Sequence, residues 1–84
     1  MENKTQDPKY IIIDGQLANA KTREFIPKDE PVFIIRAKDH HAIAALIAYQ
    51  KLCSSQKQRD CVQASLSNFY RYSTENPEGM SEPD

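Results

Sequence analysis

The chain has 84 residues, a net charge of −1, and a composition that is 39% apolar and 27% charged, which predicts one small domain with a thin core. The near-neutral charge argues against a general nucleic-acid binder held by phosphate contacts. The longest apolar run, residues 42–49, is too short to span a bilayer, and no signal-peptide pattern follows Met1. We therefore expect a cytoplasmic protein without membrane contact.

The N-terminal half of the chain contains the strand signals. Residues 1–9 form a polar lead-in. The apolar run at residues 10–13 is followed by Asp14-Gly15, which predicts a hairpin with residues 16–20 as its second strand. The four successive apolar residues at 32–35 predict a further strand that is covered on both faces.

Helical patterns fill the C-terminal half. Asp39 is predicted to cap a helix that starts at His40. Asp60 is predicted to cap a second helix, which ends near Thr74 because Pro77 follows. Each helix has one face suited to a core, formed by Ile43, Leu46 and Ile47 in the first and by Val62, Leu66 and Phe69 in the second.

This order of strands before helices is typical of the α+β class. The sequence predicts a small antiparallel sheet of three or four short strands in the N-terminal half, followed by an α-helical hairpin. One α+β domain is expected to span residues 10–74. Residues 75–84 contain four acidic and no basic residues, which predicts an acidic, loosely structured tail.

The first predicted helix has a second apolar stripe on another side. Small alanines in this stripe would let another helix approach closely, which favours a homo-oligomer, and exposed tyrosines on the second helix are suited to the rim of an interface. The alternative is that the sheet and the second helix cover both stripes of the first helix. The predicted oligomer interface consists of Ala45, Ala48, Tyr49, Leu52, Tyr70 and Tyr72.

A basic cluster surrounds the predicted start of the first helix. Free backbone N–H groups and the helix dipole favour anions at such a position. The cluster therefore predicts an anion or phosphate site, and the alternative is a solvated, capped helix start. Its members are Arg36, Lys38, His40 and His41.

Catalytic and metal-binding patterns are weak. The chain has only two glycines, and neither belongs to a glycine-rich phosphate cradle or a nucleophile elbow. His40 and Cys53 are thirteen residues apart on one predicted helix, or ~20 Å, so one ion cannot join them within a chain. We predict no catalytic residue, no metal and no cofactor. Cys53 and Cys61 could approach if the helices are antiparallel, and the alternative is two reduced thiols.

Residues 68–72 interleave aromatic side chains with Arg71. Such stretches stack bases in proteins that bind single-stranded nucleic acid. Phe69 belongs to the core face of its helix, so at least one of these rings is assigned to packing. Nucleic-acid binding is therefore not the preferred interpretation.

The stretch from Tyr10 to Asp39 carries a resemblance to known proteins. Its elements are the apolar triplet before Asp14-Gly15, then Thr22-Arg23-Glu24, Ile26-Pro27, Asp29-Glu30-Pro31-Val32-Phe33 and Arg36-Ala37-Lys38-Asp39. This pattern resembles a group of short uncharacterised proteins of phages and bacterial mobile elements, although that group has a glycine where this chain has Arg23. The resemblance implies an accessory protein that acts on a host protein or sequesters a nucleotide signal within an oligomer, in the host cytoplasm.

These observations favour a small non-enzymatic interaction protein that binds and modulates a host macromolecule. The first alternative is an oligomer that sequesters an anionic nucleotide through the basic cluster. The second alternative is a small metal-binding or nucleic-acid-binding protein. The expected partners are a second copy of the chain and a host protein or small anionic ligand.

Overall fold

A computed structural model describes residues 2–4 and 7–82 of the chain. The chain divides into two compact units, one ending at Phe33 and the other beginning at Ile34. The first contains a three-stranded antiparallel sheet, and the second contains two helices. The predicted α+β class, with a small sheet followed by a helical pair, is confirmed. The prediction that residues 10–74 form one domain stays a prediction.

The sheet of the first unit is built around the predicted hairpin. Strand β2 (Tyr10–Ile13) pairs antiparallel with β3 (Gln16–Asn19). Asp14 and Gly15 both have positive φ, at 50° and 77°, as a two-residue turn that follows the twist of its strands requires. The Asp-Gly signal therefore correctly placed this turn.

The core of the first unit is formed by one cross-strand pair. Ile11 and Ala18 lie opposite each other on β2 and β3, and both are buried. Phe25 pairs with Ala18 in an isolated antiparallel bridge on the outer side of β3. The Ile26 N–H donates to the Leu17 carbonyl at 3.0 Å on the same side. Phe25 and Ile26 therefore occupy part of this sheet edge.

The polar lead-in contributes a strand that the sequence did not predict. Strand β1 (Glu2–Lys4) pairs antiparallel with β2, with Glu2 opposite Ile13. An edge strand faces solvent on one side, so it can be polar and short, and it lacks the apolar signal used to find strands. Arg23 fixes this strand to the rest of the unit by donating from both of its terminal nitrogens to the Glu2 carboxylate.

The predicted strand at residues 32–35 is wrong for the described chain. No strand includes these residues, and Phe33 and Ile34 are 89% and 80% exposed. A run of residues with high β propensity forms a strand only where a ladder partner is available. Here β2 is paired on both sides, Phe25 partly occupies the outer edge of β3, and residues 32–35 do not pair with the outer edge of β1.

Helices α1 (Ala42–Leu52) and α2 (Gln56–Glu75) pack against each other in the second unit. Ala42, Val62 and Leu66 are its buried apolar residues, and Phe69 is half-buried, in agreement with the predicted core face of α2. The Arg59 guanidinium donates to the Cys53 carbonyl at 2.9 Å, next to the last residue of α1. The polar link between the helices is thus held by a side chain of α2.

Both helix starts differ from the prediction. α2 begins at Gln56, before Asp60, because the Ser55 hydroxyl accepts from the Gln58 N–H at 3.1 Å and caps it. The polar residues that follow are good helix formers, so the helix extends into the predicted connection. α1 begins at Ala42, and its N-cap is His41 without a side-chain cap, so the predicted Asp39 cap is wrong. The Asp39 carboxylate accepts from the His41 N–H in a turn ahead of the helix instead.

The described part of the acidic tail has more structure than its composition predicts. A 3₁₀ turn spans Pro77–Gly79. Ser81 then pairs with Asp39 in a parallel bridge. The Ser81 N–H donates to the Lys38 carbonyl at 2.8 Å, and the His40 N–H donates to the Ser81 carbonyl at 3.0 Å. Backbone hydrogen bonds can order a polar segment that has no core of its own.

We predict that Gly15→Ala destabilises the protein by about 1 kcal/mol, because alanine resists the positive φ at this position. The added methyl group would meet no atom within 4 Å, so the cost arises from the backbone conformation alone. The thermal midpoint should fall by about 4–8 °C.

Gly79→Ala is the matched control for this change. The backbone of Gly79 is not in the left-handed region, and a methyl group there would meet Asn76 Cβ at an ordinary 3.6 Å. We expect its thermal midpoint to match that of the unsubstituted protein. Equal losses for both variants would contradict the assignment of the hairpin turn.

Candidate functional site

The exposed side of α1 is the first candidate surface. Ala45, Ala48, Tyr49 and Leu52 are spaced three and four residues apart, so they share one side of the helix, and all four are exposed. Tyr49 is 56% and Leu52 is 82% exposed. We call these four residues the outer α1 face. Within the second unit, α2 does not bury it.

The two tyrosines of the predicted interface lie elsewhere. Tyr70 and Tyr72 are exposed side chains of α2, but residues two apart do not lie on the same side of a helix. Four of the six predicted interface residues therefore share one side of α1. The two tyrosines belong to α2, where they flank its buried stripe.

The basic cluster meets an acidic group of the same chain. The His41 imidazole Nε2 lies 2.7 Å from Glu82 Oε2, and both side chains are largely exposed. The His41 backbone N–H also donates to the Asp39 carboxylate at 2.7 Å. Two carboxylates thus already contact the residue at which an external anion was expected.

The remaining members of the cluster are not joined to these contacts. Arg36 and His40 are exposed and Lys38 is half-buried. Among the described residues, the side chains of Arg36 and Lys38 form no hydrogen bond or ion pair with the histidines. Lys38 and His40 contribute through their backbones, which bind Ser81. The tail segment thus contacts this region through the His41 side chain and the backbones of Lys38 and His40.

The cysteines are two free, half-buried thiols. Cys53 Sγ lies 3.4 Å from the Tyr49 carbonyl, at the C-terminal end of α1. Over residues 2–4 and 7–82, no group of three or more His, Cys, Asp or Glu residues is placed to hold a metal ion.

Arg23 is a structural feature that sequence reasoning did not find. Its hydrogen bond to Glu2, followed by the attraction between the two charges, raises the pKa of the Arg23 guanidinium. Its φ is +66°, in the left-handed region that glycine adopts most easily. The chain accepts an unfavourable backbone conformation at a residue that also holds the edge strand.

An open apolar depression lies on the surface of the first unit. Its cavity volume is about 190 Å³. It is adjacent to the exposed segment that begins at Val32, since Val32 is one of its walls. The lining residues are Gln16, Leu17, Ile26, Pro27, Lys28, Glu30 and Val32.

No family model, curated protein or solved structure matches this chain. None of the helices in the described residues is long and apolar enough to cross a membrane. Functional inference therefore depends on the surfaces of the chain itself. The two that stand out are the outer α1 face and the exposed apolar residues that follow Pro31.

We predict that Ser81→Pro releases the tail from the segment before α1. Proline removes the N–H that binds the Lys38 carbonyl, while Met80 already has the extended backbone that a following proline requires. Amide exchange at His40, whose N–H binds Ser81, should become about five- to tenfold faster.

Ser81→Ala is the control, because it keeps both backbone hydrogen bonds and removes only the hydroxyl. Its His40 exchange rate should equal that of the unsubstituted protein. If Ser81→Pro left this rate unchanged, the bridge between the tail and Asp39 would be refuted.

Proposed function

We propose that this chain is a small non-enzymatic interaction protein that binds another protein chain through the outer α1 face. The observation that carries the proposal is the exposure of four apolar, uncharged residues on one side of a single helix. Isolated exposed leucines are common on protein surfaces. A contiguous apolar stripe is different, since such patches mark sites of protein association.

The energetics of this surface favour a helix as its partner. Burying the exposed Leu52 side chain in full would contribute about 1.5–3 kcal/mol, and Tyr49 supplies an aromatic body with a polar tip that suits an interface. Ala45 and Ala48 are small, so the backbone of a second helix can come close. An apolar helix face of this kind typically docks against another apolar helix or into a groove.

A second copy of the chain is the partner that this face fits first. A two-fold dimer uses the same patch on both subunits, and an uncharged stripe meets itself without repulsion. The resemblance to short phage and mobile-element proteins extends the proposal to a host macromolecule that the assembled protein modulates. No group of residues in the described chain supports a competing catalytic function.

The proposal is tested by placing a charge on the outer α1 face. Ala48→Glu would bury a carboxylate in the contact and should weaken self-association at least about tenfold, measured by sedimentation velocity over a concentration series. Ala48 is exposed in the single chain, so the substitution should leave the fold and its circular dichroism spectrum unchanged.

Ala64→Glu is the matched control, because Ala64 is an exposed alanine of α2 outside the outer α1 face. It carries the same change of volume and charge and should leave association unchanged. Equal weakening by the two variants would show that net charge, rather than this face, controls association. A protein that stays monomeric at every concentration would exclude the self-association part of the proposal.

A further inference from the structure

The segment at residues 32–35 has two properties that do not fit an ordinary loop. Val32, Phe33 and Ile34 are large apolar residues in succession that are 56%, 89% and 80% exposed. Within the described chain, the backbone groups of residues 32–35 make no hydrogen bond. Such a segment has both an unburied apolar surface and an open backbone edge.

We infer that this segment forms an antiparallel strand pair with the same segment of a second copy of the chain. Pairing satisfies the open backbone groups and buries the apolar side chains in one step. None of the four residues has a positive φ, so none is in a conformation that excludes a strand. This contact is separate from the outer α1 face and does not depend on it.

Pro31 selects the register of the pair. Proline has no N–H, so it must lie at a position where no ladder hydrogen bond is needed. Pairs with and without hydrogen bonds alternate along an antiparallel ladder. Placing Phe33 opposite Phe33 of the second copy, in a pair without hydrogen bonds, puts Pro31 opposite Ile35 in another such pair. Val32 and Ile34 then exchange hydrogen bonds across the two-fold axis.

The charges at the two ends of the segment support the same register. Glu30 precedes the apolar run and Arg36 follows it. With Phe33 at the two-fold axis, Glu30 of each copy lies beside Arg36 of the other, just beyond the end of the ladder, so the pair gains two matched charge contacts. A parallel arrangement would place like charges side by side.

Local turns limit the ladder to its apolar centre. The Glu30 N–H already donates to the Pro27 carbonyl at 3.0 Å, and the Arg36 carbonyl already accepts from the Asp39 N–H at 3.1 Å. The ladder therefore ends at Val32 and Ile34. A two-stranded ladder of this length is weak by itself, so the complex should be concentration-dependent and is best detected by trapping.

The test is disulfide trapping of the full chain with Cys53 and Cys61 replaced by serine. In the proposed register, the two Phe33 Cα atoms lie about 4.5 Å apart, within the range of a disulfide bond. Phe33→Cys should therefore form a covalent dimer under mild oxidation. Ile34→Cys is the matched control, because Ile34 is also exposed but lies opposite Val32. Its own Cα atoms would be roughly 8 Å apart, beyond disulfide range.

The expected result is dimer formation by Phe33→Cys at least about tenfold faster than by Ile34→Cys. Equal rates for the two variants would indicate random collision and would overturn the proposal, as would the absence of any Phe33→Cys dimer at high protein concentration. Ala48→Glu added to Phe33→Cys should leave trapping unchanged. The trapping experiment therefore tests the strand pair independently of association through the outer α1 face.

A charge exchange tests the register separately. Glu30→Arg in the Phe33→Cys protein should slow trapping about five- to tenfold, because it places like charges beside each other twice. Adding Arg36→Glu restores opposite charges in the same positions and should recover the original rate. If Glu30→Arg had no effect, or if the double change failed to recover the rate, the register would be refuted.

Discussion

The amount of apolar surface that the chain can bury constrains both of its units. In the described residues, the buried apolar side chains are Ile11 and Ala18 in the first unit and Ala42, Val62 and Leu66 in the second. Small domains bury a smaller fraction of their surface than large ones, and division into two units makes each core smaller still. Polar contacts at the periphery of each unit supplement these small cores, such as Arg23 with Glu2 and Arg59 with the Cys53 carbonyl.

The same constraint leaves apolar residues on the surface in two different forms. On α1 the backbone is satisfied within the helix, so the outer α1 face offers side chains alone. At residues 32–35 the backbone is open as well, so the segment offers hydrogen-bonding groups together with side chains. In the proposed contacts, the first kind of surface binds by close packing, with a specificity that depends on shape. The second kind binds by a ladder whose register is set by the positions of proline and of the charges.

Sequence patterns predicted individual turns and helices better than they predicted which strands pair with each other. Asp14-Gly15 identified the hairpin because its signal is a backbone requirement within two residues. The apolar run at residues 32–35 gave an equally strong pattern, but a strand also needs a neighbour, and sequence periodicity carries no information on that. Strand β1 was missed for the opposite reason, because β2 offers it a ladder partner while its own polar residues show no strand pattern. For the site, sequence placed four neighbouring residues on the outer α1 face but could not show that Glu82 would contact His41.

The contacts around His41 show how a plausible anion site can be satisfied from within. A helix start attracts anions when its N–H groups and nearby cations lack partners. Here the Asp39 carboxylate accepts from the His41 N–H, and Glu82 meets the imidazole. An external anion would have to displace Glu82 while the Ser81 backbone bonds keep that carboxylate close by, so it competes with a ligand of high local concentration. The acidic tail therefore supplies from within the chain the carboxylate that the sequence led us to expect from an external ligand.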